Sequence, residues 1–187
     1  MVKIRNEMVT DIDARDDLLD RVWGPSRFAK TAERLREGRK PAAGLSFVAA
    51  NDGAIVGTVR LWHVSAGPGR PALLLGPLAI DEAARCRGIG GALMGRAITA
   101  AWRRKHRAVL LVGDEAYYQR FGFSAAKTGG LWLPGPYDRH RLLACELVPG
   151  ALDGAGGLVS ATGRPAPAPS LDTLVARLER EHDRHAA

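Results

Sequence analysis

The sequence predicts an α/β (α+β) domain with a mixed sheet flanked by helices. Three observations predict it. Apolar, β-rich runs alternate with stretches of helical period along residues 1–150. Asn51-Asp52-Gly53 joins two of the runs as a hairpin, because Asn and Gly tolerate positive φ. Two continuous apolar runs, "ALLLGPLAI" and "AVLLV", read as strands buried on both faces, with a helix between them.

The elements follow in order. "VKIRNE" alternates and predicts a first strand. Thr10 is placed to cap a helix, with Asp13 in its first turn and Ile12, Leu18, Leu19, Val22 and Trp23 at helical spacing. Gly24-Pro25 ends it, and "TAERLREG" predicts a shorter helix closed by Gly38. The hairpin strands cover about residues 45–50 and 55–64, and "AGPGRP" turns the chain into the next strand. Gly76-Pro77 interrupts that strand. A proline removes a ladder donor, so a bulge or pairing break is expected there. A glycine-rich loop opens the next helix, which runs to about Arg104 with Ile89, Leu93, Ala97 and Ala101 on one stripe. "AVLLVG", a short helix "DEAYYQRFGF" and a last strand "RLLACELVP" complete the domain. From residue 151 the chain turns rich in Gly, Ala and Pro, which predicts a linker. Ser170 then caps a short amphipathic helix bearing Leu171, Leu174, Val175 and Leu178, so 151–187 reads as linker plus helix.

Composition narrows the class of protein. The 187 residues are 46% hydrophobic and 25% charged, as expected for one soluble domain. A net charge of +7, mostly arginine, favours anionic partners. The tight cluster Arg103, Arg104, Lys105, His106 and Arg107 sits at a helix end, where cations suit the dipole. The chain has neither aromatics interleaved on basic strands nor a recognition-helix motif, so nucleic acid is not the expected partner. No apolar run approaches the roughly 20 residues of a membrane span, and the N-terminus lacks a signal-peptide core, so the expected setting is the cytoplasm. Cys86 and Cys145 are far apart and in no metal spacing, so neither a disulfide nor a metal site is expected.

The stretch "ARCRGIGGAL", residues 84–93, carries the first functional signal. A buried strand leads in, a helix leads out, and Gly88, Gly90 and Gly91 stand at the junction. A helix N-terminus presents unpaired N–H groups and a partial positive charge. Glycines let a ligand approach them closely, and Arg85 and Arg87 add full charges, so the loop suits a phosphate. A Walker A loop would need Lys-Ser/Thr where Ala92 and Leu93 stand, which removes ATP by that route. A dinucleotide fingerprint would need a third glycine at Leu93, and no second unit follows, which ranks NAD low.

A third pattern fits. "LAIDEAARCRGIGGALM" resembles the acetyl-CoA signature of the GCN5-related N-acetyltransferases (GNAT), with Arg85, Gly88 and Gly90 at the Gln/Arg-x-x-Gly-x-Gly positions. "AVLLVGDEAYYQRFGF" resembles the family's second block, with Tyr118 in the usual tyrosine place and Gly122-Phe123 at its end. "LGPLAI", "GDEAYYQRFGF" and "LVPGAL" further resemble a bacterial subgroup of predicted acetyltransferases, the YhbS-like group. The resemblance covers roughly residues 2–150 and implies a mostly antiparallel sheet with a bulged, splayed central strand.

It also implies a reaction, acetyl transfer from the acetyl-CoA thioester to an amine by direct attack. Leu78, Ala79 and Ile80 are then expected to meet the pantetheine through backbone groups. Arg85, Cys86, Arg87, Gly88, Ile89, Gly90 and Gly91 are expected to cradle the pyrophosphate. Tyr118 is the expected acid for the leaving thiolate, since a phenol (about 10) lies near a thiol (about 8.5) in pKa. The base stays open among His63, Asp114, Glu115 and water; a lone strand histidine is more often structural, and acids at a helix start more often act as caps. The acceptor is a small-molecule or peptide amine. Segments 23–38 and 131–141 are placed on its side by analogy, and a homodimer stays open. Because no base is evident, a non-catalytic CoA-binding sensor is the alternative reading.

Overall fold

The structure is a computed structural model that describes residues 1–167 and Val175. Eight strands form one sheet: β1 (Lys3–Asn6), β2 (Ser46–Asn51), β3 (Ala54–Ala66), β4 (Pro71–Ile80), β5 (Ala108–Val112), β6 (Leu131–Trp132), β7 (Leu142–Glu146) and β8 (Gly157–Ala161). The main order is β1-β2-β3-β4-β5-β7, with β8 pairing both β3 and β6. Only β4–β5 and β6–β8 are parallel; the other pairings are antiparallel. The fold is thus the mixed, mostly antiparallel sheet that the family resemblance implies.

Side-chain alternation explains why both faces of the central strands are covered. Leu73, Val109, Leu111 and Leu143 face one side, where α2 (Ile89–Arg103) packs Leu93, Met94, Ala97 and Ala101 against them. Leu74, Leu110, Leu142 and Ala144 face the other, under Trp62, Leu131, Leu152 and Val159. On β2 the same period sends Phe47 to the α2 side and Val48 to α1 (Ile12–Trp23), where Leu18 buries against it. Each of these fully buried Leu or Phe side chains contributes roughly 1.5–3 kcal/mol.

Three local expectations differ from the structure. Asp11, not Thr10, precedes α1; its carboxylate accepts the Met8 N–H at 2.7 Å and is held by Arg5, and a 3-10 turn fills residues 9–11. The segment after Thr31 is a 3-10 turn, Thr31–Leu35, rather than an α-helix. The stretch read as a linker contains β8, with Val159 fully buried and Leu152 nearly so. Its glycines serve close packing: a Cβ at Gly156 would stand 3.3 Å from the Gly130 carbonyl oxygen. The helix expected from Ser170 lies outside the described residues, Val175 excepted.

Candidate active site at the β4–β5 opening

The parallel strands β4 and β5 pair only at Leu73–Val109 and Leu74–Leu110. Beyond Leu74, β4 continues to Ile80, and among the described residues its β5-facing side has no ladder partner. Its other side stays paired with β3, through Leu61–Leu75 and then Val59–Leu78. Gly76 and Pro77 therefore stand opposite the single residue Arg60, which is a β-bulge in β4. Gly76 has φ 135, the Gly76-Pro77 bond is cis, and the Gly76 carbonyl accepts the Trp62 indole N–H at 2.6 Å. The bulge turns β4 away from β5 and creates the opening. Leu78 and Ile80 are half-buried beside it, while Ala79 is buried.

The glycine loop closes one end of this opening. Gly88 caps α2 in the left-handed region at φ 75, with no side chain bonding the first turn. The first intrahelical bond runs from the Ala92 N–H to the Gly88 carbonyl. The N–H groups of Ile89, Gly90 and Gly91 are thus left for a ligand. Arg85, Cys86, Arg87 and Gly88 are exposed, and neither arginine forms an ion pair among the described residues. Cys86 also takes a left-handed φ of 61, uncommon for a residue with a Cβ. A Cβ at Gly88 would meet nothing within 4 Å, and one at Gly90 would stand 3.0 Å from the Tyr117 hydroxyl and 3.7 Å from Ile80. The loop, the end of β4 and Tyr117 therefore converge. Side chains of consecutive helical residues point about 100° apart, so Tyr117 reaches the loop while Tyr118 faces Gly113.

The other wall is the turn after β5. The Asp114 carboxylate accepts the Ala116 N–H at 3.0 Å and starts α3 (Glu115–Tyr118); a 3-10 turn follows, closed by left-handed Gly122. Tyr118 lies directly against Gly113, where any Cβ would overlap its ring. Phe123 and Tyr117 meet the ring edge-on at 6.2 and 4.9 Å. Burial, with a further contribution from Tyr117, pushes the Tyr118 phenol up to about 12; Arg141 pulls it slightly back. Among the described residues its hydroxyl has no hydrogen-bond partner, so the proton is held but uncommitted.

The three expected base candidates are engaged elsewhere. His63 pairs with Leu73 and lies four residues along β3 from Val59, the partner of Leu78, about 14 Å away along the strand. It stacks on His106 beyond the C-terminal end of α2, opposite the glycine loop. Asp114 caps α3, and Glu115 accepts the Ala125 N–H at 3.2 Å. A concavity of about 430 Å³ near His106, lined by Trp102, Arg103, Lys105, Arg107 and Val148, is likewise at the wrong end of α2 for this site.

The segments 23–38 and 131–141 are tied to each other. The Thr31 hydroxyl donates to the Pro136 carbonyl, and Arg34 donates to the Pro134 carbonyl at 2.7 Å. They bring up cations that no sequence spacing marks. Arg36 is buried, pairs with Glu33 at 2.8 Å, and sets Nη1 3.3 Å from where a Cβ on Gly76 would stand. Lys30 lies 3.4 Å above the Trp23 ring; burial, Arg36 and Arg141 all lower its pKa. Arg141 accepts the Gly113 N–H through its carbonyl, which places it beside Tyr118.

Similarity to known proteins agrees with this geometry. The acetyltransferase (GNAT) domain family matches residues 42–125. The uncharacterized N-acetyltransferase YhbS of Escherichia coli K12 is 32% identical over 158 residues, covering 83% of this chain and 93% of that one. The fold is similar to the crystal structure of Escherichia coli YhbS in complex with CoA, at TM-score 0.73 and 30% identity over 86% of this chain and 89% of the other. It is also similar to a GNAT acetyltransferase from Brucella melitensis in complex with acetyl-CoA, at TM-score 0.57 and 25% identity over 82% and 99% of the two chains.

Proposed function

Because the chain belongs to the GNAT N-acetyltransferase family, we propose that it transfers the acetyl group of acetyl-CoA to an amine at the opening between β4 and β5. One observation carries the reading: the open edge of β4, the N-terminus of α2 with no side chain bonding its first N–H groups, and the protonated Tyr118 phenol border one opening. The residues fit the co-substrate. The N–H groups of Ile89, Gly90 and Gly91, with Arg85 and Arg87, suit a pyrophosphate, and the Cβ-free surface at Gly88 lets it approach. Cys86 contributes backbone to that loop. The unpaired edge of Leu78, Ala79 and Ile80 suits the amides of a pantetheine arm laid along it.

The chemistry then follows from the chain's own groups. Backbone N–H on β4 beyond the bulge polarises the thioester carbonyl. The amine nitrogen attacks the carbonyl carbon, the carbon–sulfur bond breaks, and sulfur leaves with its electron pair. The amine gives its proton to water, since His63, Asp114 and Glu115 are turned to other partners. The Tyr118 hydroxyl donates a hydrogen bond to the charge growing on sulfur, and the departing thiolate takes its proton from solvent. The two free thiols, Cys86 and Cys145, suit a reducing cytoplasmic setting. Among the described residues no helix is long and apolar enough to cross a membrane.

Calorimetric titration with acetyl-CoA, followed by an assay of CoA release over a panel of amines, tests the reading. Saturable binding and amine-dependent CoA release are expected. No binding at millimolar acetyl-CoA refutes the transferase; tight binding without release for any amine favours the non-catalytic CoA sensor.

A further inference from the structure

We propose that the acyl acceptor is a small amine carrying a carboxylate, and that Arg36 with the Lys30–Arg141 rim binds that carboxylate. The proposal rests on the acetyl-transfer reading above and names the substrate class for that site.

The first observation is the state of Arg36. Its residue is only 8% exposed, yet Nε has no hydrogen-bond partner. One carboxylate, Glu33, bonds Nη2 at 2.8 Å. Nη1 faces Gly76, the residue at which β4 bulges. Burial outweighs Glu33 and, with Arg27 nearby, lowers the guanidinium's pKa, so the charge is incompletely compensated by the protein. A buried guanidinium with open donors is a site for a carboxylate, whose planar oxygens match its geometry.

The second observation is the ring of charge around it. Lys30 and Arg141 form no ion pair among the described residues, and both are exposed at the mouth. Arg36 and Arg141 are the charged groups that act on Lys30, and Arg141 acts on Tyr118. Contact joins Tyr118 to Gly113, Gly113 to the Arg141 backbone, and Arg36 to the Gly76 position, while Lys30 lies within the electrostatic reach of both arginines. Arg36 thus stands at the bulge of β4 and Arg141 at the turn after β5, on the two strands that flank the opening. Arg27 is neutralised by Asp20 at 2.8 Å and Arg36 in part by Glu33, which leaves a net positive rim.

Distance selects a small acceptor. Gly76 and Leu78 are two residues apart across the bulge, closer than the roughly 6.6 Å that two regular strand residues span. One charge-assisted hydrogen bond of roughly 2.8 Å plus the amine-to-carboxylate span of a small amino acid fills that gap. The same cations explain how a site without an evident base can work. They disfavour the ammonium form, so more of the bound acceptor is the attacking free amine. A polyamine meets like charge and is rejected.

The test uses matched acceptors: glycine against glycinamide, L-alanine against L-alaninamide, and spermidine. The carboxylates are expected to be better in kcat/KM by roughly tenfold or more. Equal use of the amides, or preference for spermidine, overturns the proposal. Arg36→Met is expected to raise KM for the amino acid by about tenfold and abolish the preference, with the acetyl-CoA dissociation constant unchanged. If that variant does not fold, Lys30→Met and Arg141→Gln at the exposed rim are expected each to raise the same KM by about threefold; no rise in either overturns the proposal. Should none of these amines turn over, N-acetylglycine and N-acetylglycinamide are titrated into CoA-saturated protein. Preferential binding of N-acetylglycine supports the proposal, and equal or absent binding overturns it. Failure of acetyl-CoA itself to bind removes the transferase reading and this proposal together. Binding of acetyl-CoA with amide preference removes this proposal alone.

Discussion

Replacing Tyr118 by Phe removes one oxygen and leaves the ring packed against Gly113, Phe123 and Tyr117. The hydroxyl has no protein partner among the described residues, so its loss strands no buried group. Loss of a general acid costs about 10²–10⁴ in rate. The lower end is expected here. A phenol raised to about 12 facing a thiol near 8.5 makes full proton transfer uphill by roughly 5 kcal/mol. The hydroxyl therefore acts chiefly by hydrogen-bonding the growing charge, and Tyr118→Phe is expected to lower kcat about a hundredfold with the acetyl-CoA KM little changed. The same burial has a stability signature. The neutral phenol is favoured in the folded state, so its contribution is complete below pH 10 and is lost as pH rises from 10 to about 12. Wild type should lose roughly 2 kcal/mol relative to Tyr118→Phe across that window. CoA release by a thiol reagent, urea unfolding at neutral and alkaline pH, and phenolate absorbance are the assays. The absorbance step near 12 should be missing from the variant. Turnover within about twofold of wild type refutes Tyr118 as the acid.

Three further outcomes are expected. Gly90→Ala places a methyl beside the Tyr117 hydroxyl and over the phosphate site; thermal unfolding should show equal or slightly higher stability, by about 0.5–1 kcal/mol, while acetyl-CoA affinity by calorimetry falls tenfold or so. Gly113→Ala drives a Cβ into the Tyr118 ring; it should cost about 1–3 kcal/mol in urea unfolding and lower kcat by roughly tenfold or more, and unchanged kinetics would show that the ring's position is immaterial. His63→Gln, far along β3 from the opening, should leave kcat and its pH profile within about twofold; loss of a rate-controlling group from that profile would restore His63 as the base.

What the sequence determined by itself is what depends on neighbours along the chain. Gly88, Gly90 and Gly91 at a strand-to-helix junction mark a helix N-terminus with free N–H groups, because the preceding turn and the helix are both local. Gly76-Pro77 marks the bulge because proline denies a ladder donor to whatever strand lies beside it. The block from Asp114 to Gly122 carries its own cap and its own left-handed stop, so Tyr118 is presented at a set place after β5.

Tertiary structure decided the rest. Val159 and Leu152 lie among glycines and prolines that locally read as a linker, and only pairing of β8 with β3 and β6 buries them. Distance along the chain could not exclude His63, since β3 and β4 are neighbours; the antiparallel register alone sends it to the far end. The cations at the mouth show this most clearly. Lys30, Arg36 and Arg141 come from segments about a hundred residues apart, each an ordinary surface charge by composition. Their mutual approach depends on Thr31 and Arg34 bonding the carbonyls of Pro136 and Pro134. Charge is a property of a residue, but its desolvation and its neighbours are properties of the fold, and those set what the site can bind.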